Sequence, residues 1–72
     1  MVEIDLHGLK HSEVEDTLES MLISYYNIGS FPIRVITGHS HKMKNILSTA
    51  VNNQKFNMRE EVYNSGAIIV YE

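Results

Sequence analysis

Apolar and polar residues alternate at the start of the chain, with Val2, Ile4 and Leu6 on one side and Glu3, Asp5 and His7 on the other. A period of two is that of a strand with one buried and one exposed face. Gly8 then frees the backbone to turn. Val14, Leu18, Met21, Leu22 and Tyr25 follow at spacings of 4, 3, 1 and 3, which make one apolar stripe on a helix. Glu13, Asp16 and Glu19 fall largely off that stripe as a solvated face. Ser12 through Glu15 has the form of a capping box, which predicts the helix start there. Asn27 and Gly29 predict its end.

Phe31 to Thr37 reads as a second strand, with Pro32 tolerated at its first residues. Ile33 and Val35 point one way and Arg34 and Ile36 the other. A strand, a helix and a second strand form a βαβ unit, so these strands are expected to be parallel with a right-handed crossover. Thr37-Gly38-His39-Ser40 is the next turn. Met43, Ile46, Leu47, Ala50 and Val51 then predict a second amphipathic helix, capped by Ser40 and ending at Asn52-Asn53. Phe56 to Tyr63 suggests a third strand with Met58 and Val62 on one face. Asn64-Ser65-Gly66 signals a turn, and Ala67 to Tyr71 is a strongly β-forming run. The expected order is β-α-β-α-β-β. That is an α+β two-layer sandwich with a four-stranded mixed sheet and two helices on one face. No internal repeat, linker or low-complexity tract interrupts it.

Seventy-two residues make a single domain near the lower limit for a self-sufficient core. So small a core leaves a monomer or a weak dimer open. No apolar run approaches the ~20 residues needed to cross a bilayer. The chain has no cysteine, which excludes disulfides and thiolate metal sites and fits a cytoplasmic location. The net charge of −3 argues against a strongly basic nucleic-acid binder, but its distribution changes that picture. Residues 1–19 carry six acids and one base, residues 20–59 five bases and no acid, and residues 60–72 three acids. The middle of the chain can therefore present a positive surface to phosphate.

Parallel strands bring the turns that follow them to the same edge of the sheet, so Asp5-Leu6-His7-Gly8 and Thr37-Gly38-His39-Ser40 should converge. Asp5 and His7 share a strand face and suit two groups acting on one phosphodiester. His7 can serve as general base or acid. Asp5 can orient His7, take up a proton, or hold a divalent cation such as magnesium. On RNA the neighbouring 2′-hydroxyl can be the nucleophile without a metal, whereas on DNA it must be water. The Thr37–Ser40 turn opens a helix, where free amides and the helix dipole attract anions. Lys42 and Lys44 in the first turn oppose that dipole, which suggests that an anion is expected there. Lys10 and Arg34 are further candidates for phosphate contact, the latter across the open sheet. His39 and His41 are candidates for phosphate contact, and with His7 they also allow a three-histidine metal reading that follows no recognised zinc spacing. Tyr25, Tyr63 and Tyr71 read as core or edge packing. The bland alternative for Asp5 and His7 is a pair of strand-end residues binding backbone amides.

Asp5-Leu6-His7-Gly8, a helix, Val35-Ile36-Thr37-Gly38 leading into a second helix, and a Gly-Ala-apolar last strand at Gly66 to Tyr71 together resemble the Smr (small MutS-related) domain family. The resemblance covers nearly the whole chain. It implies a fold similar to the C-terminal domain of a bacterial translation initiation factor, nucleic-acid binding, and in many members endonuclease activity on DNA or on messenger RNA at stalled ribosomes. The family's Leu-Asp-x-His motif maps onto Ile4, Asp5, Leu6 and His7, with isoleucine in place of leucine. Its Thr-Gly-x-Gly motif maps onto Thr37, Gly38, His39 and Ser40 without the second glycine. Either Ser40 replaces that glycine, or the loop is shortened and His39-Ser40 matches a His-Ser pair that often follows it. The reading that emerges is an Smr-type endonuclease favouring RNA over DNA. Its alternative is a catalytically silent module docking on a ribosome or another protein.

Overall fold

The two periods in the sequence separate into distinct elements. A computed structural model describes residues 1–72 and runs β1 (Glu3–Asp5), α1 (His11–Asn27), β2 (Ile33–Ile36), α2 (His41–Asn53), β3 (Asn57–Glu61) and β4 (Asn64–Tyr71). The strands form one sheet in the order β1-β2-β4-β3. β1 and β2 are parallel, with Ile4 opposite Val35, while β4 runs antiparallel to both β2 and β3. No helix is long and apolar enough to cross a membrane.

Period-two alternation decides which face is buried. Ile4 and Leu6, Ile33 and Val35, and Ile68 and Val70 all face the helices. There they meet Val14, Leu18 and Leu22 of α1 and Met43, Leu47, Ala50 and Val51 of α2. Leu22, Ile33, Val35, Leu47 and Val70 have no exposed surface. Both helices begin at the edge where β1 and β2 end. The opposite end is closed by an aromatic trio, in which Phe31 and Phe56 lie 4.8 Å apart and Tyr26 packs on both.

Two expectations about element ends are corrected. α1 begins at His11 with Lys10 as its N-cap, so Ser12 lies inside the first turn and forms no capping box. The reason is the tightness of the preceding bend. Gly8 takes φ +82°, the Leu9 amide closes on the Leu6 carbonyl, and the Lys10 carbonyl already accepts from Glu13 and Val14. The hairpin turn also falls earlier than Asn64-Ser65-Gly66. Glu61 pairs with Asn64 after a one-residue register shift, which leaves Val62 and Tyr63 as the loop. Val62 is therefore 83% exposed rather than aligned with Met58, and Tyr63 is fully exposed rather than packed.

Ser40 caps α2 as expected, its hydroxyl accepting from the Met43 amide at 3.1 Å. Ser40→Ala should cost about 1 kcal/mol, read as a lower urea midpoint. Leu47→Ala should cost about 2–5 kcal/mol. That is a large share of the roughly 4–11 kcal/mol expected for 72 residues, so the same titration should show a much lower midpoint than for Ser40→Ala.

Candidate phosphate-binding site

The site grows from the bend between β2 and α2. After Ile36 the amides of Thr37 and Gly38 both donate to the Gly66 carbonyl, at 2.9 and 3.1 Å. This folds the loop back over the first residues of β4. Gly38 takes φ +64°, a conformation that non-glycine residues adopt only under strain. A Cβ on Gly38 would lie 2.9 Å from His7 Cδ2, and one on Gly66 would lie 3.3 Å from Gly38 Cα. The His7 ring thus rests directly on Gly38, and Gly38 on Gly66. The two motif turns meet at one edge.

Asp5 and His7 are both exposed at that edge. The Asp5 carboxylate accepts from the His7 amide at 2.9 Å, an Asx-type turn that fixes the backbone as it leaves β1. Part of the bland reading thus holds for Asp5, since one carboxylate oxygen serves the chain itself. Neither nitrogen of the His7 ring is engaged by another protein group.

The loop supplies donors beside that ring. The amides of His39, Ser40, His41 and Lys42 find no acceptor in the chain, while that of Met43 is taken by Ser40. No acid lies in the first turn of α2. Free N–H groups at a helix start, with the macrodipole behind them, favour an anion. The amides of Thr37 and Gly38 are not part of this set, because Gly66 uses them. Thr37 is buried, its hydroxyl donating to the carbonyls of Gly38 and Gly66, so it braces the bend from beneath. His39 is exposed, with Nδ1 3.3 Å from the Ser65 hydroxyl.

The cations divide. Lys42 is exposed and without a carboxylate partner, as is Lys10 at the start of α1. Lys44 turns toward β3, where Nζ lies 3.4 Å from Glu60. Arg34 projects from the sheet face away from the helices and is held by Glu61 and by Glu3, the latter at 2.7 Å. Its hydrogen bonds to Glu61 and then Glu3 raise the guanidinium's pKa above its ordinary value. It stays a cation but its charge is answered within the chain, so it does not extend a free positive patch. The three-histidine metal arrangement does not form, since no three His, Asp or Glu side chains converge to ligand spacing.

Two contributors went unmarked in the pattern of residues. Ser65 and Gly66 read as a turn, yet they carry the His39 contact and the carbonyl that anchors the loop. Only the Gly-Ala-apolar start of the last strand pointed to Gly66.

The Smr domain family model matches residues 4–71. No curated protein and no solved structure is a match.

Gly38→Ala should cost about 1–3 kcal/mol for the left-handed backbone alone. It should also displace the His7 ring, seen as a shift of its imidazole NMR signals relative to those of His11 and His41.

Proposed function

The chain belongs to the Smr domain family, whose members generally bind nucleic acid and carry nuclease-like activity, and on that footing we propose that it is a phosphodiester-cleaving endonuclease that favours RNA over DNA. The observation that carries the proposal is the contact of the His7 imidazole with Gly38, beside the four free amides at the start of α2. An anion seated on those amides lies next to an imidazole with both nitrogens open. A phosphodiester fits both requirements.

In this reading the amides of His39 to Lys42 hold the non-bridging oxygens, and the Lys42 ammonium adds charge without a rigid geometry. His7 takes the proton of the neighbouring 2′-hydroxyl as that oxygen attacks phosphorus. The bond to the 5′-oxygen breaks, and the leaving oxygen takes up a proton from His39, the imidazole on the same loop, or from water. Asp5 holds His7 in place through the backbone. The preference for RNA follows from the donor set. The Asp5 carboxylate is half committed to an amide, and no group of three His, Asp or Glu side chains gathers at ligand spacing, so no step is assigned to a metal, and the internal 2′-hydroxyl is the nucleophile that needs none. Lys10, at the start of α1, is a candidate contact to a flanking phosphate.

Cleavage of a structured RNA should fall at least about 100-fold in His7→Ala, with affinity changed far less. Wild-type rates in that variant would overturn the assignment of His7. Asp5→Asn keeps the oxygen that accepts from the His7 amide, so it should retain more activity than Asp5→Ala. If the wild-type domain binds no nucleic acid at low salt, where phosphate contacts are strongest, the silent docking module is the better reading.

A further inference from the structure

Val62 and Tyr63 form the tip of the β3–β4 hairpin, 83% and 100% exposed. Neither the turn nor the core accounts for them. Neither Val62 nor Tyr63 adopts positive φ, so no special backbone selects either residue, and a ring at full exposure adds nothing to a core. The tip is tied to the loop described above. Ser65 meets His39, and Gly66 anchors Thr37 and Gly38. The three-residue step from Tyr63 to Gly66 spans at most about 10 Å. On its other side the tip borders a depression of about 490 Å³ on the helix-free face of the sheet, lined also by Met1, Arg34, Arg59, Glu61 and the largely buried Ile69. Arg34 is answered by Glu3 and Glu61, whereas Arg59 is exposed and has no carboxylate partner.

We propose that this depression is a nucleobase subsite. An unpaired base of single-stranded RNA, adjacent to the phosphate at the α2 start, stacks on Tyr63 beside the exposed Val62, and Arg59 takes the next phosphate. This rests on the nucleic-acid reading above and extends it to the path of the strand. A ring, an apolar surface and an unpaired cation are the complement of a base joined to a phosphate. The hairpin that carries the subsite is tied to the α2 start by the Ser65–His39 contact and the Gly66 carbonyl. A second copy of this chain is the weaker occupant, because two side chains cover far less than the ~800 Å² per partner of a stable interface.

The test is an anisotropy titration with a short labelled single-stranded RNA and with a strand of equal length and charge whose central residues are abasic. The wild-type domain should bind the base-containing strand about tenfold more tightly. Tyr63→Ala should abolish that preference without changing affinity for the abasic strand. Tyr63→Phe should retain it. Arg59→Gln should weaken both strands and reduce the salt slope by about one. If Tyr63→Ala keeps the preference, the subsite is rejected while the phosphate site stands. If the wild-type domain binds neither strand at low salt, the nucleic-acid reading fails and the subsite with it. If Tyr63→Ala only turns a dimer into a monomer by sedimentation, with RNA affinity unchanged, the tip is a self-association contact and the subsite is rejected.

Discussion

One carbonyl oxygen, that of Gly66, holds together the edge where the two turns meet. It receives the amides of Thr37 and Gly38 and lies 3.4 Å from the Thr37 hydroxyl. A buried polar group left without a partner is costly, so these contacts leave the bend little freedom to open. The stack above it depends on two missing side chains. Gly38 lies against Gly66 because neither has a Cβ, and the His7 ring lies on Gly38 for the same reason. An imidazole on one strand end is thereby brought to the start of a helix thirty-odd residues later in sequence.

The electrostatics are arranged on the two sides of the sheet in different ways. On the helix-free face Arg34 reaches Glu3 of one edge strand and Glu61 of the other, and so spans the sheet. Each bond is at the surface, where solvent screens it, but the one to Glu3 ties down the three-residue β1, which has one neighbour only. At the edge where the two turns meet the reverse holds. Lys10 and Lys42 are left without partners, and the amides beside Lys42 are left without acceptors. The acids at residues 60 and 61 neutralise bases that composition alone counted toward a positive surface.

The fold was largely legible because its signal is periodic. Alternation at Val2 to His7 and Ile33 to Ile36, and helical stripes through Val14 to Tyr25 and Met43 to Val51, name both the elements and their buried faces. The convergence of the two turns follows from parallel pairing alone. What escaped was local and depended on distant partners. Asn64-Ser65-Gly66 has turn composition, yet Gly66 is small because another loop lies on it. Ser12 and Glu15 satisfy a capping pattern that the bend at Gly8 makes unnecessary. Arg34 looks like a free cation until register sets it among carboxylates from two other strands. Tyr63 resembles any other strand aromatic until the register shift before it puts it at the loop.

The dependence on Gly66 has a consequence for biogenesis. Synthesis proceeds from the N-terminus, so the ribosome releases Asp5, His7 and Gly38 well before the residues of β4. Until Gly66 emerges and docks, the bend has no anchor and the imidazole has nothing to rest on. The strand that completes the sheet also completes the candidate site, so in a nascent domain that edge takes its shape only once the fold is closed.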